Sequence, residues 1–446
     1  MKNVQVAGDV ERDLADIASA RAFRRLIWFL LILYVVAYLD RINVGFAALS
    51  MNRDLGLTAA TFGLANTIFY VAYLALEIPS NALMVRYGAR KWLARILVTW
   101  GIASTLTMFA TGPYSLYLLR SIVGIFEAGF VPGVMLYLTY WFPAAQRGRA
   151  TALFMVAQPL AIGFGSLISG LIMSGTHGAF GLQGWQWLFV IEGLPAVFLG
   201  IVVLFYLPDR PDTATWLSRD QARALERRIA QEAPPFVGHS GRWHDLATAP
   251  FLKLCLAYFC LVTSLNALAT WSPLIVREVL GGTSDLMHVG TISAIPGLAA
   301  VIAMPLWGAL SDKLQERIRS YLIPVGIAIV GWLLVALMPQ APVRLVGLVL
   351  GTAGGFSAMA ILWTVPPAIL SVPGRPMGTA ILSCAGILGS ITSPAVIGVL
   401  RDTTGNFNSG IWYVATLLAV SAATFATLGG LGKRGRLPGK ERRQAA

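Results

Sequence analysis

The feature that most constrains this chain is a succession of apolar runs, each about 20 residues long, divided by short polar breaks. A helix of that length spans the hydrocarbon of a bilayer, and a backbone inside lipid must satisfy its own hydrogen bonds. The breaks predict twelve helices, at about 26–47, 62–84, 92–111, 115–140, 151–173, 187–207, 251–274, 290–311, 321–338, 343–370, 379–400 and 410–431. Composition agrees, since 56% of residues are hydrophobic and only 12% charged, against about one quarter charged in a soluble domain. The expected class is an all-α membrane protein with twelve transmembrane helices.

A net charge of +13 suggests a nucleic-acid partner until it is mapped. With the N-terminus inside, the segments on the cytoplasmic side hold 27 of the 34 Lys and Arg, and the opposite side holds four: Arg53, Arg277, Arg344 and Arg401. That asymmetry is the positive-inside rule, so both termini are expected to be cytoplasmic and nucleic-acid binding is not needed to explain the charge. The first 25 residues are polar and the first apolar run is of full span length, so no cleaved leader is expected. Cys255, Cys260 and Cys384 lie in apolar runs without disulfide or metal spacing, and His177, His239, His244 and His288 fall in loops. Neither set is expected to bind a metal or cofactor.

Four ionisable residues lie inside the apolar runs: Asp40 and Arg41 in the first, Arg120 and Glu127 in the fourth. A charge at the bilayer centre costs at least about 2.5–3.5 kcal/mol, so such groups face a cavity or one another. Arg120 and Glu127, nearly two turns apart, project from one helix face about 10 Å apart along the axis. An acid and a base on each of two helices point to an anion site coupled to protons, with Asp40 able to pair with Arg41 and Glu127 with Arg120. The alternative is that both pairs are internal salt bridges fixing helix packing. Glu77 and Glu192, in EIPSN and IEGLP, are expected to cap or lock helices.

The long hydrophilic stretch 208–250 divides the helices six and six. The expected domains are a cytoplasmic segment 1–25, a six-helix bundle 26–207, a linker 208–250 with a surface helix over Ser218 to Glu232, a second bundle 251–431, and a basic tail 432–446. The halves echo each other, as parallel repeats in a transporter do: NALMVRYGARKW follows helix 2 and GALSDKLQERIRS follows helix 8. Both are variants of a G-x-L-x-D-R-x-G-R-K loop. The first keeps Leu83, Arg86, Gly88 and Arg90; the second keeps Gly308, Leu310, Asp312 and Arg317, with Lys313 for Arg and Gln315 for the second Gly. Such a loop can bond the carbonyl ends of neighbouring helices and lock a conformation.

YLDRINVGFAALSMNRDLGL, EIPSNALMVRYGARKWLAR, EAGFVPGVMLYLTYWFP and GWQWLFVIEGLPAVFLG resemble the anion:cation symporter family of the major facilitator superfamily, over about residues 23–430. WGIASTLTMFATGPYSLYLLR and LRDTTGNFNSGIWY look like the bacterial 4-hydroxyphenylacetate permease and its relatives, among which are tartrate and phthalate carriers. The resemblance implies two pseudo-symmetric six-helix bundles in the bacterial inner membrane and proton-coupled import of an organic anion by a monomer without a cofactor. It places proton coupling on Asp40 and Glu127 and substrate binding on Arg41 and Arg120. By likeness to sugar-acid carriers, Tyr38, Tyr73, Gln158, Trp363 and Ser383 line the pocket. Many members have Asn at the last position, and losing that amide favours a flatter or less hydroxylated acid. Sugar-acid or tartrate symport, and proton-coupled export of a metabolite or drug, are the alternatives. No nucleophile–base set suggests an enzyme.

Overall fold

The computed structural model describes residues 2–232, 246, 248–283, 285–314, 316–370 and 374–428. His239, His244 and Asp245 of the linker, Gln315, and the basic tail 432–446 lie outside the described residues. Within those residues there are helices and turns and no strand.

Twelve helical stretches are long and apolar enough to cross a membrane: α1 (Val10–Asp54), α2 (Ala59–Tyr87), α3 (Ala89–Phe109), α4 (Pro113–Trp141), α5 (Gln146–Gly175), α6 (Gly184–Tyr206), α7 (Ala249–Val279), α8 (Leu286–Leu314), α9 (Arg317–Leu337), α10 (Ala341–Ile369), α11 (Met377–Thr404) and α12 (Asn408–Ala426). Each overlaps one span expected from the sequence. With a π-helical turn over Phe23–Ile27 inside α1, the polar segment ahead of the first apolar run is helical from Lys2 and continuous with it. It packs on the linker helix Arg219–Glu232 through Arg227–Glu11 at 3.1 Å and Arg228–Asp16 at 2.5 Å.

Several membrane helices are interrupted. In α4, regular helix covers Pro113–Glu127 and Phe130–Trp141, and the junction is built by Ala128 and Gly129. Gly129 has φ +88°, a left-handed conformation, and a Cβ there would run into Ser80 Oγ. Ser80 closes the break by donating to the Ala128 carbonyl at 2.7 Å, and Trp92 Nε1 donates to Ser80 at 3.1 Å. The EIPSN sequence on α2 therefore supplies the donor that Pro132, four residues past Ala128 and without an N–H, cannot give to that carbonyl. In α10 regular helix ends at Leu362, and a short turn over Pro366–Ile369 follows.

The described residues form two compact units, one comprising those within 2–232, 269–298 and 394–406, the other the remainder. In the first, the N-terminus of α2 is closed from α11: the Ala59 and Ala60 amides donate to the two Asp402 carboxylate oxygens at 3.0 and 2.8 Å. Those amides are first-turn donors with no intrahelical partner, and a carboxylate also complements the positive helix end. Arg401 pairs with Glu278 at 3.5 Å nearby, and Arg277 donates to the Leu49 carbonyl at 2.9 Å. In the second unit, Tyr321 shares a 2.7 Å hydrogen bond with Ser421 and stacks on Phe425.

The two repeated loops are engaged differently. At Gly88 (φ +89°) the chain turns so closely against Asp209 that a Cβ would meet its carboxylate at 2.8 Å. Asp209 accepts from the Arg90 amide at 2.8 Å and faces its guanidinium at 3.8 Å, while the Arg86 guanidinium lies over the Tyr87 ring. The first loop is thus tied to a carboxylate at the head of the linker. In the second, Arg317 pairs with Asp312 at 3.2 Å and donates to Ser311, and Lys313 is exposed.

Two substitutions check these devices. Asp402→Ala leaves two first-turn amides of α2 without this acceptor and should cost about 0.5–2 kcal/mol. Gly129→Ala forces a Cβ into a left-handed position against Ser80 and should cost about 1–3 kcal/mol. Both are read as a lowered thermal midpoint of the detergent-solubilised protein.

Candidate functional site

Asp40, Arg120 and Glu127 are buried in the first unit and Arg41 is partly buried, but their pairing differs from the sequence expectation. Asp40 does not pair with Arg41, and Glu127 does not pair with Arg120. Neighbours on a helix diverge by about 100°, so adjacent residues cannot face one another. Residues seven apart share a face but stand about 10 Å apart along the axis, beyond direct contact. The pairing instead runs between helices. Arg41 Nε and Nη2 both donate to Glu127 Oε1, at 2.9 and 2.6 Å. Glu127 is 1% exposed and the Arg41 side chain 16%. The second carboxylate oxygen of Glu127, Oε2, is buried without a hydrogen-bond partner.

The break in α4 falls directly after Glu127, so this carboxylate leaves the last residue of a helical segment. The same break keeps the Ser80 hydroxyl one residue away, on the Ala128 carbonyl.

Arg120 is 2% exposed. Its Nη2 donates to Asn66 Oδ1 at 3.5 Å and its guanidinium lies 4.7 Å from the centre of the Phe69 ring, while Nε and Nη1 have no partner. Unmet guanidinium donors in a buried place are costly, and an anion with two acceptor oxygens is the chemistry that would meet them. Asp40 turns the other way, toward α3: Trp100 Nε1 donates to Oδ2 at 3.2 Å, Ser104 Oγ makes a short hydrogen bond to Oδ1, and Asn43 Nδ2 approaches Oδ1 at 3.5 Å.

Aromatic rings surround Arg41. Its guanidinium carbon lies 5.3 Å from the ring centre of Tyr73 and 5.9 Å from those of Tyr38, Phe69 and Tyr70. Rings at that range attract a desolvated cation and hold it in place. Tyr38 and Tyr73 were expected at the site; Phe69, Tyr70 and Asn66 were not. The FYVAY run on α2 carried the signal, because Phe69, Tyr70 and Tyr73 fall on one helix face. Gln158 reaches the same half through its amide, donating to the Tyr34 hydroxyl at 2.6 Å, and Tyr34 stacks on Phe154.

Trp363 and Ser383 belong to the second unit. Trp363 packs edge-on against Tyr258 with centroids 5.4 Å apart, its indole Nε1 is buried without a hydrogen-bond partner, and Ser383 is half-buried. Glu77 and Glu192, expected near helix ends, lie well inside α2 and α6 and are buried.

The chain is 44% identical over 399 residues to an Agrobacterium vitis protein named for tartrate transport, covering 89% of this chain and 91% of that one. It is 36% identical to the quinolone resistance transporter of Acinetobacter baumannii, over 92% of this chain and 93% of that protein. The fold matches the crystal structure of a D-xylose–proton symporter with a TM-score of 0.73 at 14% identity, covering 90% of this chain and 96% of that one. Residues 30–378 match the family model of the Major Facilitator Superfamily. With twelve membrane-length helices and relatives of this similarity along nearly its whole length, the chain is a multi-pass membrane protein that belongs to the major facilitator superfamily of transporters.

Proposed function

We propose that this transporter imports an organic carboxylate together with protons by alternating access, in a bacterial inner membrane with both termini cytoplasmic. The observation that carries the reading is the desolvated Arg41–Glu127 pair, both of whose hydrogen bonds end on one carboxylate oxygen, beside an Arg120 with two unmet nitrogens. Asp40 and Glu127 balance Arg41 and Arg120, so the empty site is neutral when all four are ionised. An incoming carboxylate adds a negative charge that a buried site does not tolerate alone. A proton taken up at Glu127 Oε2 removes that charge and loosens the hold on Arg41, whose fork then turns to the substrate. Substrate and Glu127 compete for one guanidinium, so protonation and anion binding favour each other by the same free energy. A dianion requires a second proton, and Asp40 is the residue to receive it.

The name of the Agrobacterium vitis relative supports a small hydroxylated dicarboxylate such as tartrate, above the flatter aromatic acid that Ser383 suggested. The quinolone resistance transporter supports the second reading, proton-coupled export of a drug. Uptake of labelled tartrate and of a fluoroquinolone into proteoliposomes, under pH gradients of either sign, separates them. Tartrate accumulated toward the alkaline side sustains symport; a fluoroquinolone driven against the proton flow, with no carboxylate uptake, overturns it.

Three variants test the site. Glu127→Gln should abolish accumulation on a pH gradient while keeping exchange between equal pools. If Glu127→Gln and Asp40→Asn each still concentrate substrate, coupling lies elsewhere. Arg120→Lys keeps the charge and loses the planar fork, so it should weaken apparent affinity about tenfold or more. Unchanged affinity in the lysine variant removes Arg120 from the anion site.

A further inference from the structure

Arg120 enters the carboxylate site from α4, yet α2 supplies the contacts that hold its guanidinium. The group lies over the Phe69 ring, and its one hydrogen bond among the described residues runs from Nη2 to Asn66 Oδ1 at 3.5 Å. Phe69 and Asn66 are three residues apart, so they stand one above the other on one face of α2. The two helices press together here, because a Cβ at Gly124, one turn after Arg120, would run into the Phe69 carbonyl. Asn66 is 4% exposed, so both ends of the contact are buried.

Asn66 can present only one end of its amide to that cation. Its Nδ2 donates to the Phe62 carbonyl at 3.1 Å, one turn back on the same helix. Turning the amide over would set its oxygen against a carbonyl oxygen and its N–H groups against a guanidinium, acceptor on acceptor and donor on donor. A lone amide in an apolar helix has a plainer use, which is to bond its own backbone. Asn66 does that with its nitrogen alone, and the oxygen is left for the arginine.

The nitrogen it takes decides the consequence. A guanidinium offers a carboxylate two edges, Nε with Nη2 along its side and Nη1 with Nη2 at its end, and Nη2 contributes one N–H to each. Arg41 uses its side edge on Glu127. On Arg120 the Asn66 oxygen occupies one N–H of Nη2, which closes one edge to a two-pronged anion and leaves the other complete. Nε and Nη1, the two nitrogens without a partner, are the outer members of those edges.

We propose that Asn66 is a positioning residue for the substrate carboxylate, holding Arg120 by Nη2 so that a single edge of its guanidinium receives the anion. Its bearing on transport rests on the carboxylate reading above; the hold on Arg120 does not.

Two measurements on the full-length protein in liposomes test this. In solid-state NMR of protein carrying nitrogen-15 arginine, without substrate, the Arg120 signals are those missing from Arg120→Lys. Asn66→Ala should shift them and let Nη1 and Nη2 average by rotation, while Asn66→Asp should shift them the other way and keep them apart through an ion pair. In exchange of labelled tartrate between equal pools, Asn66→Ala should raise the half-saturation concentration about tenfold and keep the saturated rate within about twofold, since a loosened guanidinium keeps its charge. Asn66→Asp, nearly the native shape, should lose far more affinity, because its carboxylate takes the place of the substrate's. An amide serving only its own helix would lower the yield of folded protein and leave the affinity of the folded fraction alone. Arg120 signals unmoved by Asn66→Ala overturn the proposal, and so does an affinity lowered less by the acid than by alanine. Should Asn66→Ala not fold, absence of the ion-pair shift in Asn66→Asp overturns it equally. A wild type that does not exchange tartrate counts against the substrate reading alone, and the Arg120 signals then decide this one.

Discussion

The buried ion pair between Arg41 and Glu127 is the interaction on which the rest of the site depends. It joins α1 to α4 through two hydrogen bonds on a single oxygen, inside a ring of four aromatic side chains. A desolvated pair of this kind contributes little net stability, because stripping water from two ions offsets most of their attraction. Its value is conditional: it is favourable only while both partners are charged, and removing either charge alone leaves the other in a poor environment. The rings soften that penalty for Arg41 but not for Glu127, whose second oxygen has no donor. The arrangement therefore responds to a proton on the acid more than to any change at the base.

The architecture near this pair explains why α4 is interrupted where it is. Pro132, four residues past Ala128, has no N–H to give the Ala128 carbonyl, and in a regular helix its ring would crowd that carbonyl. Breaking at Ala128–Gly129 leaves that carbonyl to Ser80, so α2 becomes a structural partner of the residue that ends in Glu127. The aromatic wall around Arg41 comes largely from the same helix, through Phe69, Tyr70 and Tyr73.

Much of this was legible in the sequence, and the exceptions have physical causes. Span count follows from apolar length, which a bilayer sets almost alone, so twelve runs gave twelve helices. That Asp40, Arg41, Arg120 and Glu127 avoid lipid follows from the cost of a charge there, and all four are buried or nearly so. Which of them touch depends on how α1 and α4 are rotated and shifted, information that resides in packing between helices and not in spacing along one. Adjacent Asp40 and Arg41 looked paired on paper, yet helical geometry turns one toward Trp100 and the other toward Tyr73. The break after Glu127 had its signal in Pro132, four residues past Ala128, which the apolar length of the run masked; how it is closed depends on Ser80, 49 positions before Gly129. Asn66 was passed over because a single amide in a long apolar helix carries no pattern.

Asp402 has a kinetic side. By accepting the first amides of α2, it makes the start of one helix a property of the end of another, so the two turns cannot part without uncapping α2. Separation is then partly a local melting event and not only a rigid displacement. Adding or losing a helical residue takes on the order of nanoseconds, far shorter than the microseconds to milliseconds of collective helix motion. A clasp of this type weights the joined arrangement without adding friction to its release: it sets how often these ends stand apart, while leaving the speed of parting to the slower movement of whole helices.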